Sequence, residues 1–197
     1  FYYRAGGGPM LDMGPYYVSA LVNLIGPVAR VSGMTSMLRP QRVIGSEPLR
    51  GQTIDVEVAT HVAGTLEFEN GAIVSMATSF DVGRHRHTPI ELYGTEGSLL
   101  VPDPNRFGGP VELAPVGGEW AAQPLPFAYA DGNFRGLGVL DLALALREGR
   151  PARCSGEFAL HVLEVMEAFQ RSADSGRHVD ITSRTARPAP LPAHGLE

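Results

Sequence analysis

The chain has 197 residues, 44% of them hydrophobic and 19% charged, a composition typical of a globular domain and not of a disordered segment. Its formal charge of -5 offers no basic surface to nucleic acid, and no apolar run reaches the length of a membrane span. All 16 basic residues are arginine, so the chain supplies no lysine for acid–base or Schiff-base chemistry. The single cysteine, Cys154, excludes an internal disulfide and favours a cytoplasmic location.

A glycine cluster at residues 6–8 leads into a helical pattern at the start of the chain. The pattern predicts a mostly buried helix from Pro9 to about Leu24, with Pro9 at the first helical position, where its missing N–H breaks no bond. Asp12 and Tyr16 stand one turn apart and share a face. This carboxylate and phenol are the first candidates for chemistry. A chain that opens on such an element is expected to be part of a longer protein.

Pro15 leaves two starting points for this helix open. If the helix begins at Pro9, Pro15 removes a backbone hydrogen bond and should kink the axis. If Asp12 is instead the N-cap, Pro15 falls in the first turn, where proline is tolerated. Either start leaves Asp12 and Tyr16 close together.

Alternating apolar and polar residues predict an antiparallel sheet in the middle of the chain. Asn70-Gly71 is a strong hairpin signal, and it makes residues 72–81 the partner of one long, half-buried strand at 54–68. A second hairpin turns at residues 94–97. The predicted strands are residues 28–38, 54–68, 72–81, 89–93 and 98–101, with short edge strands at 111–113 and 121–126.

Two helices are predicted after the sheet, with Asn133 as the cap of the first and Ser155 as the cap of the second. A short strand at residues 179–181 then returns to the sheet. These elements indicate an α+β fold, a mainly antiparallel open-faced sheet with helices packed on one face. The proline-rich stretch 188–197 is interpreted as an extended tail, and its final Leu196-Glu197 is typical of an expression-tag remnant.

The uncovered face of this sheet carries small and polar residues, too polar for a core yet small enough for another sheet to approach closely. Two interpretations stay open, a face exposed to solvent or a subunit interface. The residues predicted on this face are Glu57, Ala59, His61, Ala63, Thr65, Ser75, Ala77 and Ser79.

Further candidates for ligand contacts lie in predicted loops. Arg84, His85 and His87 belong to the densest cluster of cationic and titratable groups, which is either a solvated loop or a rim of hydrogen-bond donors for a polar substrate. No carboxylate or cysteine beside them completes a ligand set, so no metal site is predicted. Asn105, in a loop rich in glycine and proline, and Tyr129 are the remaining candidates for substrate contacts.

Three motifs stand in an order that is typical of one enzyme family. They are Gly-Gly-Gly-Pro-Met-Leu-Asp-Met-Gly-Pro-Tyr-Tyr from residue 6, Ile-Glu-Leu-Tyr-Gly-Thr-Glu-Gly-Ser-Leu from residue 90, and Gly-Arg-Pro-Ala-Arg-Cys-Ser-Gly-Glu from residue 149. Together they resemble the C-terminal domain of the Gfo/Idh/MocA oxidoreductases, the relatives of glucose-fructose oxidoreductase and inositol dehydrogenase. The resemblance covers residues 6–190, and residues 1–187 are expected to form this domain.

The resemblance implies one half of a two-domain enzyme. In this family an N-terminal Rossmann domain binds NAD or NADP, and a domain like this one supplies substrate contacts and the oligomer interface. The glycine fingerprint and the Glu-Lys-Pro motif of the Rossmann half are absent from this sequence, so the cofactor is expected to be bound mainly by that missing domain. The implied reaction is hydride transfer between nicotinamide and a sugar, polyol or related polyhydroxylated substrate.

The resemblance also implies roles for individual residues. In many members the first helix carries an aspartate, matched by Asp12, and four residues later a histidine that transfers a proton, where this chain has Tyr16. Phenols lose their proton roughly three pH units above imidazoles, so a tyrosine donates a hydrogen bond more readily than it accepts a proton. Tyr16 would act as a general acid if a nearby cation favoured its ionised form, or it would only orient a substrate hydroxyl.

Two other functions are compatible with the same motifs. One is a noncatalytic binding or assembly module that keeps the fold, and the other is a family member that uses the site for NAD-assisted glycoside cleavage. On the main interpretation the chain alone is inactive. It is expected to assemble as a homodimer or homotetramer through the open sheet face.

Overall fold

The computed structural model describes residues 1–196, which form two compact units. Unit 1 comprises Phe1–Arg84 and Gly156–Arg187, and unit 2 comprises His85–Ser155 and the residues from Pro188 onward. None of the helices in the described residues is long and apolar enough to cross a bilayer. In chain order the elements are α1 (Pro9–Leu24), β1 (Val28–Ser36), β2 (Gln41–Val43), β3 (Thr53–Asp55), β4 (His61–Phe68), β5 (Ile73–Ser79), β6 (Ile90–Tyr93), β7 (Gly97–Val101), β8 (Glu112–Pro115), β9 (Ala121–Ala122), α2 (Leu137–Glu148), α3 (Gly156–Ser175) and β10 (Val179–Asp180).

The main sheet of unit 1 is antiparallel, with the strand order β10-β1-β4-β5. Its β4-β5 hairpin turns at the predicted dipeptide, where Asn70 Oδ1 accepts the Ala72 N–H at 3.1 Å and Gly71 has a φ of 86°. Glycine adopts such an angle without steric cost. The predicted α+β class and antiparallel sheet are confirmed.

Helices α1 and α3 cover one face of this sheet and bury its apolar side chains. Val31 of β1 and Leu66 of β4 are register partners on this face, and both are fully buried. Removing apolar surface from water is the main stabilising contribution to such a core. The buried apolar residues of α3 are Phe158, Val162, Val165, Met166, Ala168 and Phe169.

α3 packs directly on the sheet backbone at a pair of glycines. Gly33 of β1 and Gly64 of β4 are cross-strand partners. A Cβ atom at Gly33 would lie 2.7 Å from the Phe169 carbonyl oxygen, and one at Gly64 would lie 3.0 Å from the Phe169 ring. The Gly33 N–H also donates to Ser172 Oγ on α3 at 2.9 Å. The absence of side chains at this pair therefore allows the helix to approach the sheet closely.

The prediction of one continuous strand over residues 54–68 is wrong. β3 ends at Asp55 and pairs with β2 in a separate two-stranded sheet, whereas β4 begins at His61. Between them the backbone finds other partners, since Val56 N–H donates to Pro40 O and Thr60 N–H to Ser36 O, each at 2.9 Å. Val56 and Thr60 are nevertheless buried. The alternation of buried and exposed side chains therefore continues through residues that do not belong to a strand.

The opposite face of the unit 1 sheet is uncovered in the described part of the chain. Ala63 of β4 and Ala77 of β5 are register partners on this face. Two apolar side chains project from it, because Met34 is 80% exposed and Ile73 is 66% exposed. Glu57, which the long-strand prediction assigned to this face, lies instead in the break before β4, as does Ala59.

His161 joins α3 to the first residue of β1 and to the segment that follows β10. It is fully buried, its Nε2 accepts the Val28 N–H at 3.0 Å, and its Nδ1 lies 3.1 Å from Ser183 Oγ. Burial lowers the pKa of His161 below its usual value, and a neutral ring that accepts at Nε2 carries its proton on Nδ1 and donates it to Ser183. His161 is therefore a packed core histidine.

Glu164 fixes the segment after β10 on α3. Its carboxylate accepts the N–H groups of Thr182 at 2.9 Å and Ser183 at 2.7 Å, and the Thr182 hydroxyl at 2.8 Å. Burial on its own would raise the pKa of Glu164, but the hydrogen bonds from Ser183 and Thr182 outweigh it and lower that pKa to about 2.

Glu164→Gln should lower the free energy of unfolding at neutral pH by about 2 kcal/mol. This value is smaller than the stabilisation that corresponds to the full pKa shift, because water screens the charge of this partly exposed side chain. A carboxylate with a lowered folded pKa stabilises the protein above its unfolded pKa of 4.5 and loses this contribution as the pH falls towards 2. In urea titrations the difference between wild type and variant should therefore shrink between about pH 5 and pH 3. Glu167→Gln, at an exposed position of the same helix, is the control and should change little at any pH. A difference for Glu164→Gln that stays constant with pH would contradict a role for its charge.

The sheet of unit 2 is antiparallel, with the order β6-β7-β8-β9. The predicted β6-β7 hairpin is confirmed. Strands also form near the two predicted edge strands, but β8 lies inside the sheet, between β7 and β9, and β9 at the edge has only the two residues Ala121–Ala122. The prediction that Asn133 caps the next helix is wrong, because α2 begins at Leu137 and has Gly136 as its N-cap with no side-chain cap bond. The ring of Phe134 packs edge to face on Phe107, and the Leu137 N–H donates to the Phe134 carbonyl, so a turn precedes the helix.

Asp141 of α2 is a buried carboxylate that joins the helix to the segment directly after it. It accepts Arg150 Nη2 at 3.0 Å and the Arg153 N–H at 2.8 Å, and it pairs with the Arg153 guanidinium. Burial opposes its ionisation, but the bonds from Arg153 and Arg150 lower the pKa of Asp141. Arg153 Nε also donates to Ala189 O at 3.0 Å, so the motif after α2 holds the predicted tail. Glu197 of the predicted tag remnant lies outside the described residues.

Candidate functional site

Residues 1–8 form consecutive turns that lead the chain into α1. The Gly7 N–H donates to Arg4 O at 2.8 Å, and the Gly8 N–H donates to Tyr2 O at 2.7 Å. A Cβ atom at Gly7 would lie 2.5 Å from the Tyr2 carbonyl oxygen, and Gly8 has a φ of 97°. The glycine cluster is therefore required by a tight turn. The N–H groups of Gly7 and Gly8 are used within it and do not point to a phosphate site.

α1 begins at Pro9, with Gly8 as its N-cap and no side-chain cap bond. The alternative in which Asp12 caps the helix is therefore wrong. Asp12 lies in the first helical turn, where its N–H donates to Gly8 O at 3.0 Å and the positive end of the helix dipole favours a carboxylate. Pro15 lies inside the helix.

Asp12 and Tyr16 are both half-buried and lie one turn apart on α1. The helix is held tightly by α3 at Gly14, where a Cβ atom would lie 2.7 Å from Met166 Sδ. A carboxylate accepts hydrogen bonds or a proton, and a phenol donates a hydrogen bond. On one rigid helix this pair is suited to a ligand that carries hydroxyl groups.

The basic cluster is an exposed loop. Arg84, His85 and His87 are all exposed, and the ring centroids of the two histidines are 6.2 Å apart. Arg84 is the last residue of the first segment of unit 1, and the histidines belong to unit 2. Across residues 1–196 no three His, Cys, Asp or Glu side chains form a group that could hold a metal ion.

A cavity of about 760 Å³ lies in unit 2 between the loop after β7 and the turn before α2. Asn105 is one of its lining residues, and its Oδ1 accepts Arg135 Nη2 at 2.8 Å. The Arg135 guanidinium carbon lies 6.0 Å from the centroid of the Phe107 ring, so the cavity combines hydrogen-bonding groups with an aromatic surface. Its polar lining residues are Thr88, Asp103, Asn105, Arg106, Glu112, Asp131, Asn133 and Arg135.

Tyr129 does not line this cavity. Its ring centroid lies 5.1 Å from that of Phe134, its hydroxyl accepts the Leu196 N–H at 3.1 Å, and its φ of 64° is unusual for a residue with a side chain. The structure therefore places Tyr129 in contact with the tail. The polar residues that accompany Asn105 in the cavity come from its own turn, from β8 and from two further loops, and no sequence motif joins them.

Comparison with known proteins agrees with this fold. The sequence model of the GFO/IDH/MocA C-terminal domain matches residues 1–100. D-xylose 1-dehydrogenase (NADP(+)) 2 of Haloferax volcanii is 24% identical over 175 residues, which are 89% of this chain and 48% of that protein. Levoglucosan dehydrogenase of Pseudarthrobacter phenanthrenivorans is 29% identical over 106 residues, 49% of this chain and 27% of that protein.

Solved structures give the same result for the fold. The apo form of a levoglucosan dehydrogenase superposes with a TM-score of 0.75 at 22% identity, over 92% of this chain and 53% of that one. Its complex with NADH and L-sorbose superposes with a TM-score of 0.69, at 22% identity over 91% and 52% of the two chains. The chain spans about half the length of the first of these sequence relatives and of both structures. The chain belongs to the GFO/IDH/MocA family, and its matched region is the C-terminal domain of that family.

Proposed function

We propose that this chain is the substrate-binding and oligomerisation domain of an NAD(P)-dependent oxidoreductase that acts on a sugar, a polyol or a related polyhydroxylated compound. The observation that carries the proposal is the placement of Asp12, half-buried in the first turn of α1, in a member of this family. Relatives are named as dehydrogenases of D-xylose and levoglucosan, and one related structure holds NADH and L-sorbose. These names support the substrate class.

The nicotinamide cofactor would be bound mainly outside this chain. The glycine cluster at residues 6–8 is folded into a turn whose N–H groups at Gly7 and Gly8 already have acceptors, so it does not fit the pyrophosphate of a dinucleotide. A nicotinamide supplies the hydride acceptor in dehydrogenases of this kind. This chain would supply the groups that hold the substrate and handle the hydroxyl proton.

Asp12 and Tyr16 would act on a substrate hydroxyl. The carboxylate of Asp12 would accept the hydrogen bond of the hydroxyl that loses its proton, and the phenol of Tyr16 would donate a hydrogen bond to a neighbouring oxygen. Because α1 is packed tightly on α3 at Gly14, both groups would be held in one orientation. The exposed Arg84, His85 and His87 are a separate proposal, as hydrogen-bond donors to a ligand that carries hydroxyl groups.

The cavity of unit 2, taken by itself, would suit a polyhydroxylated ligand. Asn105, Asn133 and the carboxylates of its lining present planar groups that bind hydroxyls with two hydrogen bonds. Phe107 would offer an apolar surface to the C–H groups of a sugar ring. Tyr129, by contrast, contacts the tail through its hydroxyl, which argues for a structural role.

The test is a screen of aldoses, anhydrosugars and polyols as hydride donors to NAD⁺ or NADP⁺, with the whole protein that contains this chain. Activity with at least one of these compounds supports the proposal and supplies the baseline for the Asp12 variants in the Discussion. The 197-residue chain alone should neither reduce nor bind the cofactor. Sugar binding without hydride transfer would indicate a noncatalytic module, and glycoside cleavage would indicate the NAD-assisted alternative.

The open sheet face would be the contact between copies of the chain. It is built of small residues around the Ala63–Ala77 pair, and Met34 and Ile73 are exposed apolar side chains at its surface. A flat face of small side chains allows a second sheet to approach and to cover these apolar groups. A symmetric pair of copies would bury both faces at once.

Ala77→Glu should convert the oligomer to monomers, because it places two unpaired carboxylates in the middle of the contact. Light scattering of wild type should give a dimer or tetramer mass, and the variant should give the monomer mass. Ala186→Glu, at an exposed position away from the sheet, is the control and should leave the mass unchanged. A monomeric wild type, or an oligomer that survives Ala77→Glu, would contradict this interface.

A further inference from the structure

We propose that Arg42 is a positioning residue, whose contacts with Asp81 and Tyr3 fix the turns of residues 1–8 and through them the first turn of α1. The effect of Arg42 on activity rests on the proposed role of Asp12, whereas its effect on the position of α1 does not. Arg42 lies on the short β2 strand, well separated in sequence from α1.

The Arg42 guanidinium is held on two sides by the segment that follows β5. Its Nη2 pairs with the Asp81 carboxylate, and its Nη1 donates to Phe80 O at 3.3 Å. Thr60 Oγ1 donates to the other Asp81 oxygen at 2.6 Å. The side chains of Arg42 and Asp81 are only 16% and 10% exposed, so the pair is shielded from water and its geometry is restricted.

Tyr3 rests against this pair. The Arg42 guanidinium carbon lies 5.1 Å from the centroid of the Tyr3 ring, a cation–π distance. The Phe80 ring meets the Tyr3 ring edge to face at 5.3 Å. Arg42 and Phe80 therefore fix the side chain of Tyr3. Within residues 1–6, Tyr3 is half-buried and the other residues are exposed.

Backbone hydrogen bonds carry this restraint from Tyr3 to Asp12. The Tyr3 carbonyl accepts the Glu57 N–H at 2.8 Å, and the adjacent Tyr2 carbonyl accepts the Gly8 N–H at 2.7 Å. Gly8 is the N-cap of α1, and its carbonyl accepts the Asp12 N–H at 3.0 Å. A shift of Tyr3 would thus move the cap and the first turn of the helix together.

Glu57 provides a second attachment for the same segment. Its carboxylate accepts the Ala5 N–H at 3.1 Å and lies 3.5 Å from Arg4 Nη1. Glu57 lies in the break between β3 and β4, so residues of this break bind the turns of residues 1–8. Arg42 on β2 contacts the same turns through Tyr3, and both attachments therefore restrain the start of α1.

The geometry requires an arginine at position 42. Only a planar guanidinium can pair with the Asp81 carboxylate, donate to the Phe80 carbonyl and present a face to the Tyr3 ring at the same time. A lysine keeps the charge and neutralises Asp81, but it is a point charge without the fork or the flat surface. Arg42→Lys therefore removes the positioning contacts and leaves no unpaired buried charge.

The first test is amide hydrogen exchange in the whole protein. Arg42→Lys and, independently, Tyr3→Leu should make the Gly8 and Asp12 amides exchange at least about tenfold faster, because their acceptors belong to the loosened turn. The Leu66 amide in the sheet core should be unchanged, which would show that the variant is folded. Matched controls are Arg39→Lys and Tyr2→Leu, at exposed positions beside the two test residues. Exchange at Gly8 and Asp12 within twofold of wild type in both folded variants would overturn the proposal.

The second test separates positioning from mere stability. In the whole enzyme, Arg42→Lys should lower kcat by about tenfold and leave the affinity for the cofactor unchanged, since small displacements of reacting groups cost rate. Combining Arg42→Lys with Asp12→Ala should cause no further loss, because the arginine acts through the carboxylate. Full additivity of the two losses would overturn the positioning role. If Asp12→Ala alone has no effect on turnover, the proposed function fails at that residue, and the exchange experiment still decides the role of Arg42.

Discussion

Asp12→Ala should lower kcat of the whole enzyme by about a hundredfold or more, the usual contribution of a positioned acid–base group. The cofactor affinity should hardly change, because the proposed function has the dinucleotide bound mainly outside this chain. The loss of stability should be small, about 0.5 kcal/mol, since Asp12 is only one carboxylate in the first helical turn. The measurement is steady-state kinetics with the best substrate of the sugar screen, together with thermal unfolding.

The matched control for this variant is Asp174→Ala, an exposed carboxylate near the end of α3 that should leave kcat unchanged. Asp12→Asn keeps the size and one acceptor oxygen, so a loss as large as that of Asp12→Ala assigns the effect to the charge. A turnover within threefold of wild type for Asp12→Ala would contradict the assignment of this residue.

Tyr16→Phe distinguishes the two roles that the sequence leaves open. If Tyr16 transfers a proton, the variant should lose kcat on the scale of Asp12→Ala. If Tyr16 only orients a hydroxyl, kcat should be nearly unchanged and KM should rise by about tenfold, the value of one lost hydrogen bond.

Gly33→Ala should lower the free energy of unfolding by about 3 kcal/mol, the upper range for overpacking a core. The added methyl group would stand 2.7 Å from the Phe169 carbonyl oxygen and 2.9 Å from its Cα, both backbone atoms that cannot turn away as a flexible side chain can. The helix would have to lift from the sheet and stretch the 2.9 Å bond between the Gly33 N–H and Ser172 Oγ. Urea denaturation followed by circular dichroism measures this loss.

Gly45→Ala provides the control for Gly33→Ala. A Cβ atom at Gly45 would meet no atom within 4 Å, so this variant should be neutral or slightly stabilising. Equal stabilities of the two variants would show that α3 is not in close contact with the sheet at Gly33. The apolar core would then have to tolerate a shift of the helix without cost.

Local signals in the sequence predict the elements that depend on neighbouring residues. The hairpin at Asn70-Gly71 is an example, since its turn needs a left-handed residue and the sequence offers glycine there. The existence of α1 is another, because proline suits a first helical position, although the sequence left its start open between Pro9 and a cap at Asp12. In both cases the cause lies within a few residues of the effect.

The break between β3 and β4 and the true start of α2 could not be predicted in the same way. Alternation reports which face a residue occupies, and it continues through Val56 and Thr60 while the backbone changes its hydrogen-bond partners. Asn133 has the chemistry of a cap, but the packing of Phe134 on distant rings delays the helix to Leu137. Tertiary contacts decide both outcomes.

In the candidate site, too, contacts between residues close in sequence could be predicted, and contacts between residues distant in sequence could not. The spacing of Asp12 and Tyr16 is a property of a helix, so the sequence alone indicates that they are neighbours. Arg42 and Asp81 are 39 residues apart and meet only after the sheet has formed. No periodicity connects them, and only the folded backbone brings both to Tyr3.

The discontinuity of unit 1 has a consequence for synthesis of the protein. Phe1–Arg84 leaves the ribosome well before Gly156–Arg187, yet α3 is one of the two helices that cover the sheet. The hydrogen bonds that join them span 133 residues from Val28 to His161 and 139 residues from Gly33 to Ser172. Until α3 is made, the early strands expose the part of their apolar face that this helix covers, and such exposed apolar surface favours aggregation. Contacts of such long sequence separation also predict slow refolding compared with a helical protein of this size.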